Sequence, residues 1–249
     1  METILKMKDN RLNTQEHVNE FNKTHNNIMG ETTEKSHGLQ RIIFSACYEL
    51  VKRTSDIVLS LLALTALSPV FLGIALIYKF NKSDEGPLFY KQTRIGKDGH
   101  EFGMYKFRSM IVNAEEKLKN NSALYKRYVE NNYKLPSEED PRITKIGRWL
   151  RKSSFDEIPQ FINILKGDMS LVGPRPVIKL ELKEYKDVNK LLSVKPGAMG
   201  LWQARGRSEI GYPERADIEM EYIDNAGFFL DLKIMALNLL NILRRKGAY

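Results

Sequence analysis

The sequence predicts an α/β protein, mainly α, in which a re-entrant membrane helix-break-helix precedes a compact cytosolic globular domain with a small β-hairpin and amphipathic interfacial helices. Three observations predict it. Residues 57–78 form an uncharged apolar run with Pro69 near its middle. Two strand-like runs flank Gly96-Lys97-Asp98-Gly99. Beyond them, helical apolar periods alternate with glycine- and proline-rich turns. The boundaries that follow are a polar tail at 1–44, a membrane helix-hairpin at 45–82 and a globular domain at 83–249.

Composition narrows the partners. A chain of 249 residues, 42% hydrophobic and 28% charged, can hold one substantial domain with an appendage. Its formal charge of +8 points to an anionic partner, for which nucleic acid, anionic lipid and phosphorylated substrates all qualify. The single cysteine, Cys47, excludes an internal disulfide and suits a buried or membrane-edge position. The tail at 1–44 is rich in Asn, Lys, Glu and Thr without a sustained period, so disorder is expected there. Its charges leave no apolar core for a secretory signal peptide. His17, His25 and His37 are spaced too irregularly to argue for a metal.

Asp56 is the last charge before the run at 57–78, whose length matches the roughly 20 residues a bilayer-spanning helix needs. A buried soluble helix of that length would normally show a polar face, and this one offers only Ser60, Thr65 and Ser68. Ser68 and Pro69 mark the break. The proline has no N–H and clashes with the Thr65 carbonyl, for which the hydroxyls of Ser68 and Thr65 are close substitutes in sequence. Each arm would reach only about 14–17 Å at roughly 1.5 Å per residue, about half of a hydrocarbon core. Lys52 and Arg53 precede the run and Lys79 and Lys82 follow it, so no charge asymmetry sets a spanning orientation. A helix that enters one leaflet and returns to the same face is preferred over a kinked span.

Residues 88–95 and 102–110 read as strands, with Asp98-Gly99 a favoured hairpin turn. On the returning strand Lys106 and Arg108, two apart, share a face. Residues 112–133 read as one exposed, charged helix. Asp140-Pro141 then opens a basic segment in which Arg142, Lys145, Arg148 and either Arg151 or Lys152 recur at helical spacing beside Trp149. Solvation, lipid headgroups and substrate phosphates all remain open as its purpose.

The segment 153–176 holds the candidate chemistry. Ser154-Phe155-Asp156-Glu157 fits a capping box before the apolar stripe Ile158, Phe161, Ile162 and Leu165. Pro159 argues for a later start, with Phe155 or Asp156 as the cap. In either register the two carboxylates lie where a helix dipole favours negative charge, which keeps them ionised. Gly173-Pro174-Arg175-Pro176 follows, a stiff turn whose guanidinium is pre-organised to fork onto phosphate. A glycine-rich run, 196–207, adds Arg205 and Arg207. Near the C-terminus Leu232, Met235, Leu239, Ile242 and Leu243 stripe a helix at 231–246 that ends in Arg244-Arg245-Lys246. Such a helix lies in the headgroup plane or packs on the core, and both readings stay open.

Taken in order, these motifs resemble the monotopic phosphoglycosyl transferases, the bacterial sugar transferase family that starts glycan assembly on a polyprenyl phosphate carrier. The resemblance runs through Ser68-Pro69, Lys106-Phe107-Arg108-Ser109-Met110, Asp140-Pro141-Arg142-Ile143-Thr144, Asp156-Glu157-Ile158-Pro159-Gln160, Lys166-Gly167-Asp168-Met169-Ser170, Val172 to Pro176 and Lys195-Pro196-Gly197. Ala198-Met199 departs from the β-branched pair expected after Pro-Gly. The chain resembles the minimal form of the family with a polar tail added.

The resemblance implies transfer of a sugar-1-phosphate from a UDP-sugar to polyprenyl (undecaprenyl) phosphate, with UMP released. It implies Asp156 as nucleophile and metal ligand, Glu157 as its partner in metal positioning or proton transfer, and magnesium as cofactor. Lys106, Arg151, Arg175, Arg205 and Arg207 become candidates for holding phosphate or nucleotide. It also implies the bacterial inner membrane, with the catalytic domain at 83–249 on the cytoplasmic face; a homo-oligomer is compatible with all of this. No recognised nucleic-acid motif accompanies the arginines, so nucleic acid is not an expected partner. The alternative is a non-catalytic membrane scaffold or a nucleic-acid binder, which gives Asp156 no reason to stand beside a phosphate-ready loop.

Overall fold

The computed structural model describes residues 46–81, 86–131, 133, 135–206 and 209–244. The tail with its three histidines, Lys82, Arg207, Arg245 and Lys246 lie outside the described residues. The chain divides into two units, Met1–Val51 and Lys52–Tyr249. Of the first, the described part is the opening of helix α1 (Ala46–Ala66), where Cys47 is exposed.

Helix α2 (Ser68–Phe80) follows α1 at a bend of 56°. Among the described residues no single helix is long and apolar enough to cross a membrane, whereas this bent pair passes that test together. The bend has the expected cause: with no N–H at Pro69 to meet it, the Thr65 carbonyl accepts from Ser68 Oγ at 2.8 Å. Within the second unit α1 is turned inside out relative to a soluble helix. Asp56 and Ser60 are buried, while Val58, Leu59, Leu61 and Leu62 are exposed. Leu72, Leu76, Ile77 and Phe80 continue that exposed apolar surface on α2.

Lys52 and Arg53, expected as membrane flanks, are docking groups instead. Arg53 donates to the carbonyls of Ile164 and Leu165 at 2.6 and 2.8 Å, and Lys52 Nζ pairs with Asp231 at 2.5 Å. Asp56 accepts from Leu171 N–H at 2.8 Å and from Ser170 Oγ at 3.0 Å. At the other end of the pair the Tyr78 hydroxyl donates to the Arg108 carbonyl.

Strands β1 (Phe89–Ile95) and β2 (Glu101–Phe107) form the expected antiparallel hairpin, pairing Phe89 with Phe107 and Ile95 with Glu101. Asp98 and Gly99 take the left-handed φ values of 57° and 79° that the turn needs. Arg108 lies just past β2, where it is buried and donates through Nε to the Pro87 carbonyl at 2.8 Å. The helix expected over 112–133 is two helices, α3 (Ala114–Lys119) and α4 (Ser122–Glu130). Asn121 separates them because its side chain caps α4, accepting from Leu124 N–H at 3.0 Å.

Helix α5 (Lys145–Ser153) is capped by Thr144, whose Oγ1 accepts from Gly147 N–H at 2.9 Å. Arg142 therefore precedes the helix and drops out of the cationic stripe, buried against Asp140 through hydrogen bonds of 2.8 and 2.7 Å. After α6 (Gln160–Lys166) comes a second sheet that periodicity did not reveal, β3 (Ser170–Val172) parallel to β4 (Gly197–Met199). Helices α7 (Val188–Leu192), α8 (Leu201–Arg205), α9 (Glu214–Asn225) and α10 (Phe228–Leu243) complete the chain. The main core gathers Met104, Ile164, Met169, Leu171, Trp202 and Ile234 between β2, α6, β3, α8 and α10. On α10 the expected stripe divides: Met235 turns to the core beside Ile234, while Leu232 and Leu239 stay exposed with Phe229.

Candidate active site

Two tight backbone approaches place the candidate carboxylates. Gly147 lets α5 lie directly on the strand end, since a Cβ there would come within 1.8 Å of the Ser109 carbonyl oxygen. That approach brings Arg151 Nε to Ser109 Oγ at 3.0 Å. Ser154 then ends α5 in the left-handed conformation, φ 58°, and a 3₁₀ turn, Phe155–Glu157, carries the acidic pair. Pro159 caps α6, so the capping box read from Ser154 and Glu157 does not form. Ser154 accepts no side-chain capping bond, and Asp156 sits in the turn rather than at the head of a helix.

Asp156 is buried, and Glu157 is half exposed. Lys106 on β2 donates to Glu157 Oε1 at 2.9 Å. Burial pushes the Asp156 carboxyl up to about 6; Lys106 is the largest opposing influence, Glu157 raises it further, and Arg151 opposes. Asp156 is thus mainly a carboxylate at neutral pH, its charge sustained against burial by Lys106, Arg151 and its own backbone N–H. Burial lowers the Arg151 guanidinium from its ordinary value, with Asp156 the first influence opposing that, and Arg151 remains a cation.

Arg175 arrives from the other side, in the turn after β3. Gly173 N–H donates to Met199 carbonyl at 3.1 Å and Gly197 N–H to Pro174 carbonyl at 2.8 Å, a clasp that a side chain at either glycine would open. The Arg175 guanidinium lies over the Trp202 ring, 5.7 Å from its centroid, and meets no carboxylate at ion-pair distance among the described residues. Burial works against its charge, while Glu181 and then Glu157 raise its affinity for the proton. Glu157 is therefore within electrostatic reach of both Lys106 and Arg175. A shallow depression with room for about one water, roughly 10 Å³, adjoins Pro174 and Arg175, lined further by Ile95, Val177 and Leu191.

The expected residues thus fall into groups. Asp156, Glu157, Lys106 and Arg151 are brought together, and Arg175 shares their field. Arg205 is engaged elsewhere, in a two-pronged pair with Glu221 of α9 at 2.6 and 2.5 Å. Arg207 lies outside the described residues. Sequence reasoning missed Ser109, Trp202 and Glu219, which contact Arg151 and Arg175 across long separations and follow no local pattern, and Arg215, which stacks on Trp202. No group of three or more His, Cys, Asp or Glu converges on a metal position among the described residues. The adjacent carboxylates Asp156 and Glu157 are the side chains that could hold a magnesium ion, which binds through one or two carboxylates and otherwise keeps water and phosphate oxygens.

A buried carboxylate flanked by cations, with a further guanidinium free of ion pairs within electrostatic reach of Glu157, is chemically suited to anionic, phosphate-bearing ligands. The bacterial sugar transferase family matches residues 47–245, and the chain belongs to that family. It is 45% identical over 203 residues to the undecaprenyl-phosphate galactose phosphotransferase of Salmonella typhimurium, covering 80% of this chain and 42% of that protein. It is 36% identical over 237 residues to the UDP-glucose:undecaprenyl-phosphate glucose-1-phosphate transferase of Escherichia coli, covering 90% of this chain and 48% of the relative. Identity to the exopolysaccharide production protein ExoY of Sinorhizobium fredii is 40% over 203 residues, 80% of this chain and 88% of that one. The chain thus spans less than half the length of several curated relatives that it matches.

Proposed function

We propose that this protein transfers a sugar-1-phosphate from a UDP-sugar to polyprenyl phosphate at a membrane surface, opening the assembly of a bacterial polysaccharide. The observation that carries the reading is Asp156: a buried carboxylate kept largely ionised by Lys106 and Arg151. An Asp156 oxygen bonds to the sugar-proximal phosphorus while the bond from that phosphorus to the bridging oxygen breaks, and UMP leaves. An oxygen of polyprenyl phosphate then bonds to the same phosphorus, the aspartyl bond breaks, and polyprenyl-diphosphate-sugar is formed. Each displacement exchanges one P–O bond for another, so no oxidant or further group is consumed.

Lys106, Arg151 and Arg175 hold the diphosphate, Arg175 because its guanidinium has no competing ion pair. Magnesium, held by Asp156 and Glu157, would supply neutralisation of the diphosphate charge. The exposed apolar surface of α1 and α2 supports insertion into one leaflet, with Phe229, Leu232 and Leu239 of α10 resting among the headgroups. A nucleotide donor made in the cytoplasm places the catalytic domain on the cytoplasmic face of the inner membrane.

The names of the relatives divide between galactose and glucose, so the donor panel begins with UDP-galactose and UDP-glucose. Purified protein, undecaprenyl phosphate, magnesium and each donor should release UMP, and chelation of the magnesium should stop it. If no donor yields UMP, or if Asp156→Asn keeps full activity, the covalent reading fails.

A further inference from the structure

We propose that Glu219 and Trp202 are positioning residues that hold Arg175 at its two ends, its backbone by Glu219 and its guanidinium by the Trp202 ring. The consequence for catalysis rests on the phosphate role proposed for Arg175; the geometry does not. Pro174 and Pro176 fix φ on either side and carry no N–H, so between Val172 and Val177 the chain has two backbone donors, Gly173 and Arg175. Gly173 bonds to β4 through Met199. Arg175 N–H has no strand partner and donates instead to Glu219 Oε2 at 2.7 Å.

Glu219 also stands at ion-pair distance from Arg215, and its two oxygens divide between these partners. It is 2% exposed and lies one helical turn from Arg215, which is 3% exposed. Yet Arg215 Nε stays 3.8 Å from Glu219 Oε1, and neither atom makes a hydrogen bond. One carboxylate oxygen is thus hydrogen-bonded to the Arg175 backbone, while the other faces Arg215 as an ion pair without a hydrogen bond. Arg215 also stacks on Trp202 at 4.3 Å from the ring centroid. Trp202 is also held in plane by its Nε1–H, which donates to the Ile210 carbonyl at 3.0 Å. Both supports of Arg175 thus come from one stretch of chain, α8 and α9, braced by one buried guanidinium.

The test is hydrogen exchange on the full chain in lipid nanodiscs, followed by kinetics. Glu219→Met, which fills similar space without a strong acceptor, should speed exchange over residues 173–176 by about tenfold while β2 is unchanged. Glu219→Gln, whose amide oxygen can accept the same bond, should stay within about threefold of wild type. In UMP release, Glu219→Met and Arg175→Ala should each lower kcat/KM, and the double variant should be no worse than Arg175→Ala alone. Wild-type exchange over 173–176 in Glu219→Met, or losses that multiply in the double variant, overturns the proposal. If Glu219→Met does not fold, loss of protection in Glu219→Gln with β2 intact overturns it equally, and retained protection supports it. A wild-type protein that protects Arg175 yet releases no UMP refutes the transfer reaction, and the exchange data then decide the positioning role by themselves.

Discussion

The nucleophile role proposed for Asp156 sets two opposed demands, since a nucleophile must be ionised and a buried carboxyl resists ionisation. Its folded-state value of about 6 exceeds the ordinary value of 3.8. A raised acid binds more protons in the folded state, so its penalty is absent at low pH, grows as pH rises through 3.8 to 6, and is complete above that. Asp156→Asn should therefore abolish UMP release yet be more stable at pH 8, on the order of 2–3 kcal/mol, with the gain shrinking toward pH 4.5. Thermal melts of both proteins at the two pH values would check the sign, and equal gains at both would refute it. Lys106 is the main influence opposing the rise, so Lys106→Met should move the acid limb of the pH–rate profile upward by about one pH unit from a wild-type midpoint near 6. An unmoved limb would mean that the limb does not report Asp156. Asp156, Lys106 and Arg175 were legible because each lies in a motif with unusual local chemistry. Glu219 was not, because on α9 it looks like its surface neighbours Glu214 and Glu221 until the fold brings Arg175 to it.

Elements were legible where hydrophobic period or turn chemistry dominated and illegible where a tertiary contact set the boundary. The hairpin followed from Asp98-Gly99, and the helix break from Ser68-Pro69. The capping box at Ser154 failed because Ser154 serves the end of α5, in the left-handed conformation, before any helix at Asp156 can start. β3 and β4 are three residues each and depend on the Gly173–Gly197 approach, which leaves no periodic trace. The close seat of α5 yields a prediction of its own. A methyl at Gly147 would overlap the Ser109 carbonyl at 1.8 Å, backbone that cannot rotate away. Gly147→Ala should cost at least about 3 kcal/mol, at the upper end of overpacking, and release Arg151 from Ser109. Denaturant unfolding and UMP release measured together would check it, and a variant with wild-type values in both would show that α5 can shift without consequence. Asp56→Ala tests the docking of α1 in the same way. It strands the buried Leu171 N–H and Ser170 hydroxyl, at a cost of about 1–3 kcal/mol in the same unfolding measurement.

For the molecule as a whole, the proposed membrane geometry rests on where the ends of the bent pair are tied. Lys52, Arg53 and Asp56 bond to Asp231, to the end of α6 and to β3, while Tyr78 bonds to the Arg108 carbonyl just past β2. A helix that crossed the bilayer would carry one of these ends roughly 30 Å from the other, and one folded domain could not keep both sets of bonds. The re-entrant insertion proposed above is the arrangement that keeps both sets of bonds, with the apolar faces of α1 and α2 on one side and Ser68 Oγ meeting the Thr65 carbonyl at the break. Single cysteines at Thr54 and Asn81, each in a Cys47→Ser background, should react with a membrane-impermeant maleimide only after inverted membranes or lysed cells expose the cytoplasmic face. Straightening the pair acts against the same ties: Pro69→Ala returns an N–H to Thr65 and favours a continuous helix of about 33 Å over 57–78. That variant should lose membrane-bound UMP release while Asn81 stays labelled from the cytoplasmic side, because the tether at Tyr78 outlasts the insertion. Labelling of Thr54 and Asn81 from opposite faces in the parent protein would replace the re-entrant pair with a span, and would require the domain contacts at one end to break.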